Sequence, residues 1–201
     1  MKAYSINRIA LCCATCLNRS LNKEGSDFQK MVLGLEILLH NLPKMILLIG
    51  VALMLNMLPL AIVTWLPFAV MRTFAAGLHA KNSINCTVST LFMFIVAPYF
   101  AYGFYLNIFS LLLVFAVVML VLYKYAPADT AARPILGKIK RARLKKKSLI
   151  SCALILAFAL IFLNETFYVL IALGAIYTAV VVSPITYKIL KRRMNNYEQY
   201  E

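Results

Sequence analysis

A histidine and a cysteine seven residues apart are the side chains in this sequence best suited to catalysis. His79 is one of two histidines and Cys86 is one of five cysteines. A thiolate is a strong nucleophile, and an imidazole can take the proton of the thiol and later pass it to a leaving group. On one continuous helix the two side chains would lie about 10.5 Å apart along the axis, too far for a hydrogen bond. We therefore expect the helix to break between them, within the polar residues 81–83.

The residues at this expected break favour a reactive cysteine. Asn82, Ser83 or Asn85 can cap a new helix that carries Cys86 near its N-terminus, where the helix dipole stabilises a thiolate. The seven-residue spacing alone is nevertheless explained better by an unrelated loop histidine and a helix cysteine.

Four further residues have both a functional and a structural interpretation. Glu36 and His40 lie four residues apart, so on a helix they share one face, where they line a polar cavity or pair with a basic residue. Arg72 binds a substrate carboxylate or anchors a helix end at the membrane surface. Gly77 is expected to form a tight turn in which the missing side chain lets the backbone approach a substrate.

The remaining cysteines do not indicate a metal or redox site. Cys12, Cys13 and Cys16 contain one C-x-x-C spacing, but a zinc site needs two further ligands and the sequence has no second pair. We interpret them as small apolar residues on a surface helix, with reversible acylation as a weaker alternative. Cys152 lies in an uncharged run and is expected to pack in the core. We expect no metal and no cofactor.

The composition places these residues in a membrane protein. Of the 201 residues 63% are hydrophobic and 14% are charged, and the mean hydropathy is +0.82, which excludes a soluble globular domain. Lysine and arginine number 21 against 7 acidic residues, and they cluster in short strips between long uncharged runs. A nucleic-acid-binding protein would spread its basic residues over one folded face. The pattern instead indicates membrane topology, and no nucleic-acid partner is expected.

Uncharged runs long enough for transmembrane helices define the fold class. A helix needs about 20 apolar residues to cross the hydrocarbon core, and the runs lack the ten-residue alternation of a membrane β-barrel. We predict an all-α, polytopic integral membrane helical bundle with about six membrane helices. A hairpin is expected to turn near residues 98–103, and a short polar turn is expected at residues 164–165. The uncharged runs are 45–71, 82–123, 148–164 and 166–187.

The region before residue 72 allows two arrangements. In one, residues 31–55 form a first span despite Glu36, His40 and Lys44; in the other, the run 45–71 turns back near residues 56–59. We prefer the first, because two half-runs of about 14 residues would each rise only about 21 Å. The preceding arm has apolar residues at helical spacing with basic residues between them, which predicts an N-terminal amphipathic helix in the membrane interface.

Basic strips predict the orientation of the chain. Eight lysines and arginines between Arg133 and Lys147, and four more between Lys188 and Arg193, are expected on the cytoplasmic side. The segment 72–81 lies two spans earlier and is therefore expected on the same side. The first strip is also expected to bind anionic membrane lipids.

Two stretches of the sequence resemble the hallmarks of the accessory gene regulator protein B (AgrB) family. The segment from Arg72 to Cys86, with Gly-Leu-His-Ala at 77–80, resembles the active-site motif of that family, and Tyr125–Thr130 followed by Arg133–Ile135 resembles its second hallmark. The similarity also covers Gly34–Leu38, Asn41 and the spacing of the hydrophobic runs. One departure is Ala76, where many members carry a second glycine.

The resemblance implies a membrane cysteine endopeptidase that processes the precursor of a cyclic autoinducing peptide, an AgrD-like partner. It assigns Cys86 as the nucleophile and His79 as its general base, with an acyl-enzyme thioester that passes to a thiol or hydroxyl of the peptide. Glu36, where members have a polar residue, is then the candidate that orients His79. The resemblance further implies a homodimer in the bacterial cell membrane, with the active site facing the cytoplasm.

With this assignment we expect a single membrane domain over residues 1–201. Its parts in chain order are an interfacial arm (1–27), the first membrane segments (28–71), a catalytic loop and helix start (72–86), a hairpin (85–125), a basic cytoplasmic loop (126–147) and a C-terminal hairpin (148–190). The basic loop can also attract an acidic tail of the precursor, although we place lipid binding first.

A hypothesis of another class is a non-catalytic multi-span protein that binds or exports a peptide. In that protein Glu36, His40 and Arg72 would line the route of the peptide, and Cys86 would be a packing residue. The change Cys86→Ser would then be mild, whereas in a peptidase it would abolish cleavage.

Overall fold

The structure is a computed structural model that describes residues 2–78, 83–130, 134–162 and 164–199. Within these ranges the regular secondary structure is helical, apart from isolated β-bridge residues, among which Ala76 and Ala128 pair in parallel. The chain divides into two compact units, residues 1–54 and residues 55–201. The predicted all-α fold is confirmed.

The first unit is a pair of helices joined by a short turn. Helices α1 (Lys2–Leu21) and α2 (Gly25–Met54) pack against each other. Asn18 closes the turn, because its side chain accepts a hydrogen bond from Lys23 N (2.8 Å) and donates one to Lys23 O (2.9 Å). The helix predicted for the N-terminal arm is present, and its position in the membrane interface stays a prediction.

The region before residue 72 forms two helices. Helix α2 is unbroken across Glu36 and His40, and the chain turns at residues 55–57 before α3 (Leu58–Ala75) begins. Pro59 lies in the first turn of α3, where its missing N–H costs no helical hydrogen bond. The helices agree with the preferred arrangement, in which residues 31–55 form a first span, and the uncharged run 45–71 is divided between α2 and α3. That α2 crosses the membrane stays a prediction.

The second unit contains α3 and the remaining helices. A continuous helical stretch, Ser83–Ala101, has a wide π-helical turn in its middle. In a regular helix the ring of Pro98 would collide with the carbonyl of Phe94, and the wider turn relieves that collision. In chain order the helices are α4 (Ser83–Leu91), the π turn (Phe92–Val96), α5 (Ala97–Ala101), α6 (Ile108–Tyr125), α7 (Lys138–Phe162), α8 (Glu165–Val182), α9 (Pro184–Ile189) and a 3₁₀ turn (Asn196–Gln199).

Helix α8 forms the centre of the second unit and packs against α3 and α6. The crossing with α3 is very close at Gly174, where an added Cβ would lie 2.3 Å from Thr64 O. The glycine therefore lets the two helix backbones meet, which brings the C-terminal ends of α3 and α8 together.

Two hydrogen bonds, one at each end of the second unit, show in which direction its helices run. At one end, Tyr105 in the turn before α6 donates a hydrogen bond to the carboxylate of Glu165 at the start of α8. At the other end, Tyr187 after α8 donates one to the carbonyl oxygen of Asp129 after α6 (2.7 Å). Helices α6 and α8 therefore run in the same direction, and α7 runs back between the two ends.

Five helical stretches of the described chain are long and apolar enough to cross a membrane, namely α2, α3, Ser83–Ala101, α6 and α8. Helix α7 is a further hydrophobic helix, whose apolar part from Ser148 to Phe162 measures about 22 Å. The segment expected as a basic loop is helical from Lys138 onward, because it consists of good helix formers with no proline or glycine after Gly137.

Candidate active site

The backbone that follows α3 is held on two sides by hydrogen bonds. Gly77 N donates to Ala128 O (2.8 Å), and Ala128 N donates to Ala75 O (3.0 Å), which forms a short parallel pairing with the chain after α6. Leu78 N donates to Val181 O at the end of α8 (3.1 Å). The two residues before the predicted general base are thus hydrogen-bonded to the chain after α6 and to the end of α8.

The neighbouring residues Ala76 and Gly77 adopt backbone conformations that favour glycine. Gly77 has φ +110°, and an added Cβ would lie 2.9 Å from Val181 O, so a side chain has no room there. Ala76 also has a positive φ (56°, ψ −131°), a region that strains a residue with a Cβ. The close approach seen at Gly77 is to α8, and the expected approach to a substrate stays a prediction.

Asp129 anchors the chain after α6 to the C-terminal segment. Its side chain is 2% exposed. The carboxylate accepts hydrogen bonds from the backbone N–H groups of Asn196 and Tyr197, both at 2.9 Å, and a longer one from Asn196 Nδ2 (3.4 Å). The segment begins after the cis peptide bond Ala126–Pro127. Residues 126–130 are therefore clamped between the C-terminal turn and the backbone at Gly77.

Tyr187 completes this clamp through its hydroxyl. The phenol is buried and donates its hydrogen bond to Asp129 O. Burial, together with the nearby carboxylate of Asp129, raises the pKa of Tyr187 to about 12, and the positive charge of Arg72 acts in the opposite direction. Tyr187 is therefore a hydrogen-bond donor at physiological pH.

Arg72 connects the clamp with the cysteine. Its guanidinium donates a hydrogen bond to Leu78 O and lies over the ring of Phe68, 5.1 Å from the ring centroid. It also lies close enough to Cys86 and Tyr187 for a Coulombic interaction with each of them. The positive charge of the half-buried arginine therefore acts on the predicted nucleophile.

Cys86 lies in the first turn of α4 and is half-buried. Helix α3 already ends at Ala75, earlier than the break expected at residues 81–83, and α4 begins at Ser83. His79, the predicted general base, and Asn82, one of the proposed caps, lie outside the described residues. Of the predicted site residues, Arg72 therefore interacts with Cys86 and holds Leu78 O, while Gly77 is fixed against Ala128 and the end of α8.

The other predicted site residue, Glu36, lies on α2 in the first unit and is half-buried. His40 follows one turn later and is exposed. The role of Glu36 in orienting His79 stays a prediction.

Sequence reasoning missed the clamp residues Asp129, Tyr187 and Asn196 as parts of the site. Asp129 had one usable signal, since it is an acidic residue beside a strongly basic strip and belongs to the second hallmark stretch. Tyr187 and Asn196 are separated from Asp129 by 58 and 67 positions, and no local pattern indicates such contacts.

The assembled groups suit nucleophilic chemistry at a carbonyl. A thiol in the first turn of a helix, within Coulombic range of a guanidinium, is a candidate nucleophile, and backbone amides at a helix N-terminus are candidate donors to an oxyanion. Within the described residues there is no cluster of histidine, cysteine and acidic side chains that could hold a metal ion.

Comparisons with known proteins find similarity along most of the chain. A family model described as Accessory gene regulator B matches residues 10–183. The chain is 36% identical over 200 residues to an AgrB-like protein of Clostridium acetobutylicum, covering 100% of this chain and 96% of that protein. It is 35% identical over 180 residues to an AgrB-like protein of Listeria innocua, covering 90% and 87%. It is 32% identical over 173 residues to accessory gene regulator protein B of Staphylococcus lugdunensis, covering 86% and 90%. No solved structure matches the chain.

Proposed function

Because the chain belongs to the accessory gene regulator B family, we propose that it is a membrane-embedded cysteine endopeptidase that processes an autoinducer precursor peptide. The proposed nucleophile is Cys86 and the proposed general base is His79. The observation that carries the proposal is the position of Cys86 in the first turn of α4, within electrostatic reach of Arg72. Both a helix N-terminus and a neighbouring cation stabilise a thiolate.

In the first step His79 accepts the proton of Cys86, and the thiolate attacks the carbonyl carbon at the cleavage site. The carbonyl oxygen becomes an oxyanion, for which Arg72 and the backbone amides of the first turn of α4 are the candidate donors. The C–N bond then breaks, His79 returns the proton to the leaving amine, and the acyl group remains on Cys86 as a thioester.

In the second step a thiol or hydroxyl of the same peptide attacks the thioester. His79 takes the proton of the attacking group, the ring closes as a thiolactone or lactone, and Cys86 leaves and regains a proton. Exchange of one thioester for another nearly conserves bond energy, so ring closure competes with hydrolysis where the site excludes water. This sequence of steps uses no cofactor.

The scaffold around the pair supports this chemistry by fixing the backbone next to His79. Arg72 holds Leu78 O, and Gly77 packs against α8 and pairs with Ala128. Asp129 in turn anchors the pairing to the C-terminal segment. We assign Asp129 and Tyr187 as positioning residues, and Glu36 remains the candidate that orients His79.

The surroundings of the site support a cytoplasmic location. The site lies at the end of the second unit where α3, α6 and α8 finish, next to the start of α7 with its basic strip and to the basic residues after α9. Basic strips remain on the cytoplasmic side of a membrane and attract anionic lipids. We propose that the protein works as a homodimer in the bacterial cell membrane, with an AgrD-like precursor as its partner.

Mass spectrometry of an AgrD-like precursor, incubated with the full-length protein in liposomes, tests the proposal. Wild-type protein should release a C-terminal fragment and form an acyl adduct on Cys86. The changes Cys86→Ala, Cys86→Ser and His79→Ala should each abolish the release. The matched control is Cys16→Ala, which removes an exposed cysteine on α1 and should cleave as the wild type does.

Equal cleavage by wild type and by folded Cys86→Ala would overturn the cysteine mechanism. Retained binding of the precursor without any cleavage by the wild type would instead favour the non-catalytic peptide-binding or export protein.

A further inference from the structure

An apolar groove runs along the surface of the second unit between α3 and α7. Its volume is about 710 Å³, which lies in the range of small-molecule binding sites. On α3 the lining extends from Ile62 to Phe74, and on α7 it extends from Lys147 to Phe158. Several lining residues remain substantially exposed, including Leu66 (48%) and Leu154 (64%), so the groove is open along its length.

The groove carries its charge at one end. Among the described lining residues, Lys147 is the one with a charge, and the rest are apolar except for Ser151. The Ser151 hydroxyl is already used, because it donates a hydrogen bond to Ser148 O. Lys147 lies near the ring of Phe74 (5.7 Å) and has no acidic partner in the described part of the chain. The groove therefore offers a long apolar wall that ends in a single cation.

The length of the groove matches one leaflet of a membrane. From Lys147 to Phe158, eleven positions further along α7, the helix rises about 16.5 Å. Half of a typical hydrocarbon core is about 15 Å. An acyl chain that extends from the membrane surface to the midplane would thus follow the groove from its charged end to its apolar end.

We propose that the groove holds one acyl chain of an anionic phospholipid, whose phosphate pairs with Lys147. The occupant is anionic because Lys147 is the last residue of the basic strip at the start of α7, which attracts negatively charged headgroups. The occupant is a lipid because the remaining wall offers dispersion contacts and no free hydrogen-bonding side chain. The phosphate then lies beside Phe74, one turn before Leu78, so the lipid is a neighbour of the catalytic segment.

Quenching of tryptophan fluorescence by brominated lipids measures this binding. Trp65 is the only tryptophan of the chain, so Trp65→Phe gives a silent background. Phe158→Trp places a reporter in the groove, and Leu113→Trp places a control reporter on the exposed face of α6 (67% exposed). Full-length protein is reconstituted in phosphatidylcholine vesicles that contain increasing fractions of brominated phosphatidylglycerol or of brominated phosphatidylcholine.

We expect the reporter in the groove to prefer brominated phosphatidylglycerol about fivefold, the factor that corresponds to ~1 kcal/mol for one basic residue at an anionic surface. The control reporter on α6 should show equal quenching by the two lipids. The preference should disappear in Lys147→Gln and persist in Lys146→Gln, which removes the neighbouring exposed lysine.

Three results would overturn the proposal, and none of them bears on the cysteine chemistry. Equal quenching of the groove reporter by both lipids would show ordinary annular contact only. A preference that survives Lys147→Gln would place the phosphate elsewhere. Quenching of the α6 reporter without quenching in the groove would indicate a different occupant. If circular dichroism shows that Phe158→Trp does not fold, Leu154→Trp in the same groove serves as the reporter.

Discussion

Arg72 links the backbone of the catalytic segment to the charge at the proposed nucleophile. One guanidinium donates to Leu78 O, covers the ring of Phe68 and interacts with Cys86. A planar guanidinium can make these contacts at once, whereas an ammonium is a compact point charge. Changes at this residue should therefore affect both the geometry and the electrostatics of the site.

We expect Arg72→Gln to lower the single-turnover rate of acyl-enzyme formation about 100-fold, the typical effect of removing one donor to an oxyanion. Arg72→Lys keeps the charge but loses the planar fork, so its rate should lie between those of Arg72→Gln and wild type. The rate is measured by mass spectrometry of the Cys86 adduct. Arg143→Gln removes an exposed arginine and should leave the rate unchanged. A folded Arg72→Gln protein with the wild-type rate would contradict this assignment.

Tyr187 should make stability depend on pH under alkaline conditions. Burial raises its pKa from 10.0 to about 12 in the folded protein. Its contribution is therefore complete below pH 10 and is lost as the pH rises from about 10 to 12, because the unfolded chain releases the proton first. The difference between the tyrosinate absorbance titrations of wild type and Tyr187→Phe should have a midpoint near pH 12. A midpoint near pH 10 would show that the hydroxyl is not buried against Asp129.

At the scale of elements, the C-terminal segment after α8 forms one side of the clamp that holds residues 126–130. The carboxylate of Asp129 accepts hydrogen bonds from the backbone N–H groups of Asn196 and Tyr197 in the C-terminal 3₁₀ turn. The centroid of the Tyr197 ring also lies 3.8 Å from the guanidinium carbon of Arg141 at the start of α7. Asp129 therefore joins the chain after α6 to the C-terminal turn, and Tyr197 of that turn contacts the start of α7. The pairing between Ala128 and Gly77 carries this restraint to the site.

The change Asp129→Asn should weaken the hydrogen bonds that hold this clamp together. An asparagine keeps one oxygen acceptor, but its NH₂ group would face a backbone N–H, and an unsatisfied buried group costs about 1–3 kcal/mol. Hydrogen exchange followed by mass spectrometry should become faster in residues 75–78 and 194–199, and turnover should fall together with it. Asp27→Asn, which removes an exposed carboxylate paired with Lys30, is the matched control. Unchanged exchange in residues 75–78 would mean that the clamp does not position the catalytic segment.

The crossing of α3 and α8 should be intolerant of any side chain at Gly174. A methyl group there would lie 2.3 Å from Thr64 O, so the helices must separate. Overpacking of this kind should lower the free energy of unfolding by about 2 kcal/mol. Gly50→Ala is the control, because nothing lies within 4 Å of its Cβ position and alanine favours a helix. Thermal unfolding in detergent should show a lower midpoint for Gly174→Ala alone; equal midpoints for the two variants would exclude the close crossing.

The sequence predicts the elements well because each boundary has a local signal. Charges interrupt the apolar runs, and Asn164 marks the turn before α8. The hairpin turn expected near residues 98–103 was placed too early, because the helix continues through Pro98 to Ala101 and the chain turns at residues 102–107. The sequence did not predict that α7 begins at Lys138, because a dense basic strip is typical of a solvated loop as well as of a helix. The pairing of Ala76 with Ala128 depends on how α3 and α6 pack around α8, and short-range periodicity carries no information about that packing.

At the scale of the whole molecule, the second unit has two ends with different chemistry. One end carries the turn with Tyr105 and the start of α8 at Glu165, which are joined by a hydrogen bond. The other end carries the basic start of α7, the basic residues after α9 and the clamp around Asp129. Hydrophobic helices separate these two ends, so the second unit has a basic end and an opposite end, which we call its polarity.

This polarity predicts which positions are accessible from outside the cell. In a protein whose native cysteines are replaced by alanine, Phe104→Cys and Asn164→Cys should react with a membrane-impermeant maleimide in intact cells. Lys138→Cys and Lys191→Cys should react only after permeabilisation, because basic strips stay in the cytoplasm. All four positions are exposed, so complete labelling of permeabilised cells is the control. Protection of Asn164→Cys together with Lys138→Cys in intact cells would mean that α7 does not cross. The contact between Tyr105 and Glu165 argues against that outcome, because it requires α8 to begin at the end of the unit where α6 begins.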